Sequence, residues 1–192
     1  RERRVGRDEA QGLLEKSGLA PIFNQQTPEL EVIEEITPEV VMHCKAIAIF
    51  AEYNKYLRLA GLAANQLGYH EERVALNVCC IYRSKKHEWI TAINPSIVST
   101  EGASRNSVEG CLTWPDRQIK AMRYDDIVVS YMDIDGEERE ESVSGFEALV
   151  WQHEINHLRG IPERVIDPEK KLKPNAPCHC GSNRKFKKCC GR

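Results

Sequence analysis

Long apolar runs are largely missing from this 192-residue sequence: none exceeds six residues (46–51 and 59–64), against the roughly 20 that a membrane-spanning helix requires. Membrane insertion through helices is not expected. The chain also lacks a basic, apolar leader with a small-residue cleavage site, so Sec-type secretion is not expected either, although it opens on Arg1 and not on a Met. No internal repeat or low-complexity tract is present, which removes solenoid and fibrous architectures. Carboxylate side chains are absent after residue 169. All 29 lie in residues 1–169 with 19 of the 27 basic residues, a net of −10, and the remaining eight cations fall in residues 170–192. An acidic body with a cationic tail suits contact between the tail and a polyanion or an acidic protein surface.

What is present is the composition of a globular protein, 41% apolar and 29% charged. A chain of this length folds as one or two domains and buries roughly 70% of its unfolded surface around a core that needs no disulfides. The eight cysteines are unevenly placed: Cys178, Cys180, Cys189 and Cys190 cluster, Cys111 stands alone, and Cys44, Cys79 and Cys80 lie in apolar surroundings. That pattern reads as metal ligation, not as a disulfide framework. If Cys79 and Cys80 lie in a strand they point to opposite faces, so at least one is a small buried hydrophobe.

The chain divides into an extension (1–20, with a short helix expected around 8–17), a body (21–168) and a basic, cysteine-rich tail (169–192) entered through the linker Lys173-Pro174-Asn175-Ala176-Pro177. Thr37, Pro38 and Glu39 write a helix start, and Val40, Cys44, Ile47 and Ala51 carry helical spacing to about residue 58. Residues 59–68 are rich in small side chains, where something approaches the backbone closely. Segments 73–82 and 87–93 read as strands, the second ended by Asn94-Pro95. Ile127, Val129 and Tyr131 lead through Asp135-Gly136 into a return strand near 137–143. Ser144 with Glu147 predicts a capping box on a last helix that ends at Gly160. Strands first and a helix late indicate an α+β body.

Within that last helix stands His153-Glu154-Ile155-Asn156-His157. Two histidines at i and i+4 share a helix face, so both imidazoles can reach one metal ion while Glu154 stays near its water. Phe146, Leu149 and Val150 are expected on the buried side of the same helix. A third protein ligand is needed, with one position left open for catalysis. A zincin-type endopeptidase would draw it from downstream, where residues 158–192 offer only Glu163, Glu169 and His179 in a segment ending in linker and tail. The other candidate is Cys111, between Glu109-Gly110 and Leu112-Thr113.

Gly61-Leu62-Ala63-Ala64-Asn65-Gln66, Glu109-Gly110-Cys111-Leu112-Thr113 and Gln152-His153-Glu154-Ile155-Asn156-His157 together resemble, in order and spacing, the three motifs of peptide deformylases. The resemblance covers about residues 21–165. It implies antiparallel sheets packed around a central metal-binding helix, and hydrolysis of the N-formyl group from the initiator methionine of nascent chains to give formate. It further implies Cys111, His153 and His157 as metal ligands, Glu154 as general base, and the Gln66 amide and Leu112 N–H as oxyanion donors. Gly61 and Gly110 would line the peptide groove, and Phe146, Leu149 and Val150 would wall a methionine pocket. Iron(II) is the implied physiological ion, with zinc, nickel or cobalt as substitutes. The expected location is the cytoplasm, with an organellar matrix or a phage host's cytoplasm as alternatives. The rival reading is an inactive body that binds nascent chains or ribosomes. Two departures stand out: Leu59 replaces a glycine usual two positions before Gly61, and Asn156 replaces an Asp that usually pairs with a strand Arg, here Arg123.

The tail contains C-x-C-x8-C-C, four thiolates at Cys178, Cys180, Cys189 and Cys190 that suit a tetrahedral structural zinc, with His179 as an alternative ligand. It resembles the SEC-C motif at the end of the SecA translocase ATPase. So short a segment has no core, and metal binding would supply its folding free energy. The resemblance implies docking on ribosomes or acidic partners.

Overall fold

The computed structural model describes residues 18–54, 57–69, 72–166, 175 and 184–188. The expected 8–17 helix and the four tail cysteines lie outside the described residues. Nine strands are described: β1 (Leu19–Pro21), β2 (Gly61–Ala63), β3 (Leu67–Tyr69), β4 (Glu72–Arg73), β5 (Val78–Arg83), β6 (Glu88–Gly110), β7 (Gln118–Met132), β8 (Glu138–Ser144) and β9 (Val165–Ile166). Two helices accompany them, α1 (Pro38–Tyr53) and α2 (Gly145–Leu158). A small antiparallel sheet runs β1-β3-β4, and a larger one runs β2-β5-β6-β7-β8 with β9 added to β7.

The larger sheet has a helix on each face, and side-chain alternation along β5 shows why. Val78 and Cys80 point into a core with Cys44, Ile47 and Phe50 of α1. Cys79 and Ile81 point the other way, into a core with Ala148, Trp151 and Ile155 of α2. The two adjacent cysteines thus serve two cores. Burial pushes the thiol of Cys44 up to about 11 and that of Cys80 to about 12, and Cys79 also lies well above its usual value, so all three act as small hydrophobes. Leu59, standing where a glycine was expected, is half-buried against the α1 core.

Sequence expectations fail at several boundaries, and the single strand expected over 73–82 divides into β4 and β5 with residues 74–77 outside both. Asn94-Pro95 does not end its strand: Asn94 takes φ +51°, the register shifts between Ile93 and Ser96, and β6 continues to Gly110. A bulge accommodates a residue without an N–H, so proline here is a kink in a strand and not a stop. Helix α1 is capped by Thr37, whose Oγ1 accepts from Val40 N at 3.3 Å, but it ends at Tyr53, short of residue 58. There the Asn54 side chain donates back to Phe50 O. Ser144 is the N-cap of α2 but makes no side-chain capping bond, and the Glu147 side chain lies 3.8 Å from Arg83 Nε, so the expected capping box does not form. Gly160, just past α2, has φ +60°, and a Cβ there would sit 2.4 Å from Glu29 N. Only glycine meets both demands.

Candidate active site

Helix α2 is buried along most of its length, and that burial carries the histidine pair inward: His153 is 8% exposed and His157 fully buried. Four residues apart, their Nε2 atoms meet at 3.2 Å. Each ring is fixed from behind. His153 Nδ1 lies 2.7 Å from Glu109 Oε2, and His157 Nδ1 lies 3.3 Å from Thr27 Oγ1. Such contacts select the tautomer that leaves Nε2 free to ligate.

Strand β6 ends at Gly110, and the turn that follows delivers Cys111, whose Sγ lies 3.3 Å from His157 Nε2. Gln66 arrives from the 3₁₀ turn Ala64–Gln66 that links β2 to β3. Its Oε1 accepts from Ala63 N at 2.9 Å, which commits Nε2 to donate toward Thr113 Oγ1 at 3.2 Å and Cys111 Sγ at 3.6 Å. The neighbouring Asn65 donates to both His157 O (2.8 Å) and Pro28 O (2.9 Å), tying the 3₁₀ turn to α2. Leu112 is half-buried in the same turn as Cys111.

Glu154 is 4% exposed, and its Oε2 has no hydrogen-bond partner. Burial pushes its carboxyl up to about 7, with the charge of His153 opposing and the carboxylates of Glu163 and Glu109 adding to the rise. The Cys111 thiol is pushed far up by burial and then by Glu163 and Glu154. A buried thiol, two imidazoles and surplus carboxylate charge converge here, with one carboxylate oxygen unpartnered. That donor set suits a divalent cation, which would neutralise the charge and hold the sulfur as thiolate.

Sequence reasoning gave no role to Glu109 and set Glu163 aside. Glu109 grips Arg123 through both carboxylate oxygens, Nε and Nη2 each at 2.9 Å, and supplies the neutralising charge that Asn156 lacks. Asn156 still contributes: with its amide oxygen turned to Arg123, it accepts from Nη1 at 2.8 Å. Burial would raise the Glu109 carboxyl, but His153 and Arg123 outweigh it and hold it down at about 2. Glu163, which the linker and tail argued against, stands beside the ligands with Trp114 donating to it. Cys111, His153, His157 and Glu163 place their donor atoms within 4.8 Å of one another.

The residues expected to line a groove fall out differently. A Cβ on Gly61 would lie 2.5 Å from Glu154 Oε1 and 2.6 Å from Val150 Cγ1, so this glycine lets β2 pass directly against α2. Gly110 is exposed with open space where its side chain would be. Of the three residues expected on one buried helix side, Val150 is buried and Leu149 half-buried, but Phe146 is 67% exposed. Phe146 sits in the first turn, before the helix passes under the sheet, which leaves it outside the core.

Comparison with known proteins agrees with this layout. Residues 20–172 match the polypeptide deformylase family, and residues 175–192 match the SEC-C motif. The peptide deformylase of Desulfotalea psychrophila is 34% identical over 151 residues, covering 72% of this chain and 87% of that relative. That of Aquifex aeolicus is 38% identical over 105 residues, 53% of this chain and 59% of the relative. Against this relative and one from Polynucleobacter necessarius, the chain spans under three-fifths of their length, 59% and 56%. Among solved structures, the peptide deformylase of Ehrlichia chaffeensis in complex with actinonin superposes with a TM-score of 0.66 at 25% identity, covering 77% of this chain and 87% of that one. The Synechococcus elongatus peptide deformylase, also with actinonin, gives 0.65 at 24% identity, covering 77% and 78%, which establishes the shared fold.

Proposed function

The chain belongs to the polypeptide deformylase family, and on that footing we propose that it is a metal-dependent hydrolase removing the formyl group from the N-terminal formylmethionine of nascent polypeptides. The observation that carries the reading is the convergence of Cys111, His153 and His157 beside a buried Glu154 with a free carboxylate oxygen. Those three residues would hold one divalent ion, iron(II) in the cell and zinc, nickel or cobalt as replacements. When bound, the ion supplies a Lewis-acid centre that brings the pKa of its water toward ~7.

Glu154 takes a proton from the water as its oxygen adds to the formyl carbon. The same proton passes to the methionine nitrogen as the C–N bond breaks, leaving formate and a free amine. In the metal-free protein burial pushes this carboxyl up to about 7, so its environment favours holding a proton more than an exposed carboxylate does. Negative charge gathers on the formyl oxygen, toward which the locked Nε2 of Gln66 and the N–H of Leu112 are the donors; each such donor typically lowers the barrier by about 3 kcal/mol. Gly61 and Gly110 would shape the backbone beside the substrate, and Leu149 and Val150, with Phe146 at the margin, the methionine subsite.

The tail would fold around one structural zinc through Cys178, Cys180, Cys189 and Cys190, and its cations would dock the enzyme on ribosomal RNA or an acidic partner. The expected place of work is wherever formylated chains emerge: the cytoplasm, with an organellar matrix or a phage host's cytoplasm as alternatives. The deciding experiment is formate release from formyl-Met-Ala-Ser by anaerobically prepared, iron-loaded protein, with acetyl-Met-Ala-Ser as control. Turnover of the formylated peptide alone is expected. Metal bound at Cys111 without turnover would instead support an inactive, chain-binding role.

A further inference from the structure

We propose that Glu163 is a fourth protein ligand to this metal, so that the resting site is closed by a carboxylate which water and substrate must displace. The inference rests on the metal-site reading above and goes beyond its three ligands. Glu163 Oε1 lies 3.0 Å from His157 Nε2, 3.3 Å from Cys111 Sγ and 3.9 Å from His153 Nε2. With the 3.2 Å between the two imidazoles and the 3.3 Å from sulfur to His157, five of the six donor separations fall near the edges of a tetrahedron built on bonds of ~2.0–2.3 Å, roughly 3.3–3.8 Å, and all four donors lie within 4.8 Å of one another. The carboxylate stands where a fourth donor belongs.

Its position is built. Gln26 clamps the Glu163 backbone from both sides, accepting from Glu163 N at 3.0 Å and donating to Glu163 O at 3.2 Å. Lys120 N donates to Arg164 O, and β9 then pairs in register with β7. The Glu163 side chain is only 5% exposed, and Trp114 Nε1 donates to Oε2 at 2.5 Å, which leaves Oε1 as the ligating oxygen. The indole acts as a positioning group that fixes which oxygen turns inward. A loose surface glutamate would show none of these four restraints. Catalytic sites keep one position open, so a four-ligand resting state makes carboxylate release the step that frees a position for water and substrate.

The test uses Co²⁺ as probe in the full chain, comparing wild type with Glu163→Gln, Glu163→Ala, Trp114→Phe and Cys111→Ser. The tail cysteines are common to all five and cancel in difference spectra against Cys111→Ser. Expected are changed Co²⁺ d–d bands in both Glu163 variants, and cobalt loss to a chelator that is 10–100-fold easier than in wild type, with Trp114→Phe between. Glu163→Gln keeps the side-chain shape, and its near-UV circular dichroism separates ligand loss from misfolding. If Cys111→Ser loses one ion while both Glu163 variants keep wild-type spectra and affinity, the fourth-ligand inference is overturned and the three-ligand site stands. If Cys111→Ser binds as much cobalt as wild type, the metal-site reading fails, and this inference with it.

Discussion

A carboxylate touching both a guanidinium and an imidazole is asked to neutralise one and aim the other, and Glu109 makes both contacts in a nearly dry setting, with side-chain exposures of 11% for Glu109 and 4% for Arg123. Glu109→Gln would strand the Arg123 charge, a loss of about 3–5 kcal/mol. It would also loosen His153, lowering metal affinity about 10–100-fold. Urea unfolding and chelator competition measure the two effects, and wild-type values in both would show that Glu109 has neither duty. Glu154→Gln is predicted to cut formate release by 10²-fold or more while metal content stays unchanged; near-normal turnover would end its assignment as general base. At this scale the histidine pair and Glu154 could be proposed from their local spacing, while Cys111 and Gln66 take their roles only from the family resemblance. Glu109 and Glu163 could not, since no local spacing marks their roles and only the folded arrangement brings Glu109 to His153 and Glu163 to Cys111 and His157.

At Gly61 of β2 the side chains of Glu154 and Val150 on α2 fill the space a Cβ would occupy. Gly61→Ala adds a methyl within 3 Å of both Glu154 and Val150, and overpacking of this kind destabilises by about 1–3 kcal/mol. Because one of the displaced atoms is Glu154 Oε1, kcat should fall further than the stability loss accounts for. A variant with wild-type kcat and midpoint would show that the helix gives way freely. The helix starts could be read at Thr37 and Ser144, where capping residues stand next to helical spacing. The long β6 could not, because Asn94-Pro95 carries the local signature of a stop, and the continuation is dictated by pairing with β7 across a bulge. Local chemistry marks a kink there, and only the partner strand decides that it is not an end.

For the whole molecule, acid stability follows from the same carboxylates. In metal-free protein Glu109 is held at about 2, below its ordinary 4.5. A depressed carboxyl stabilises the fold above its unfolded value and loses that contribution as pH falls from 4.5 through 2. The shift corresponds to on the order of 3 kcal/mol. Chemical denaturation of the metal-free protein between pH 5 and 2 should therefore show a steep decline that Glu109→Gln flattens; an equally steep decline in the variant would locate the sensitive group elsewhere. The α+β class was foreseeable from strand and helix order and the antiparallel sheets from the family resemblance, whereas the make-up of the small sheet was not, since all three of its strands are two or three residues long.

The groups that converge on the ion, with those that brace them, come from six stretches of chain: Thr27, Asn65 to Gln66, Glu109 to Cys111, Trp114, α2 and Glu163. Synthesis delivers them in that order. The thiol emerges some forty residues before the first imidazole, and Glu163 is made after both. Until α2 has docked, Cys111 is a bare sulfur with no competitor for oxidants or stray metals. Metal loading would therefore follow completion of the body, and the ion the site meets would be the one supplied at that moment, not during elongation.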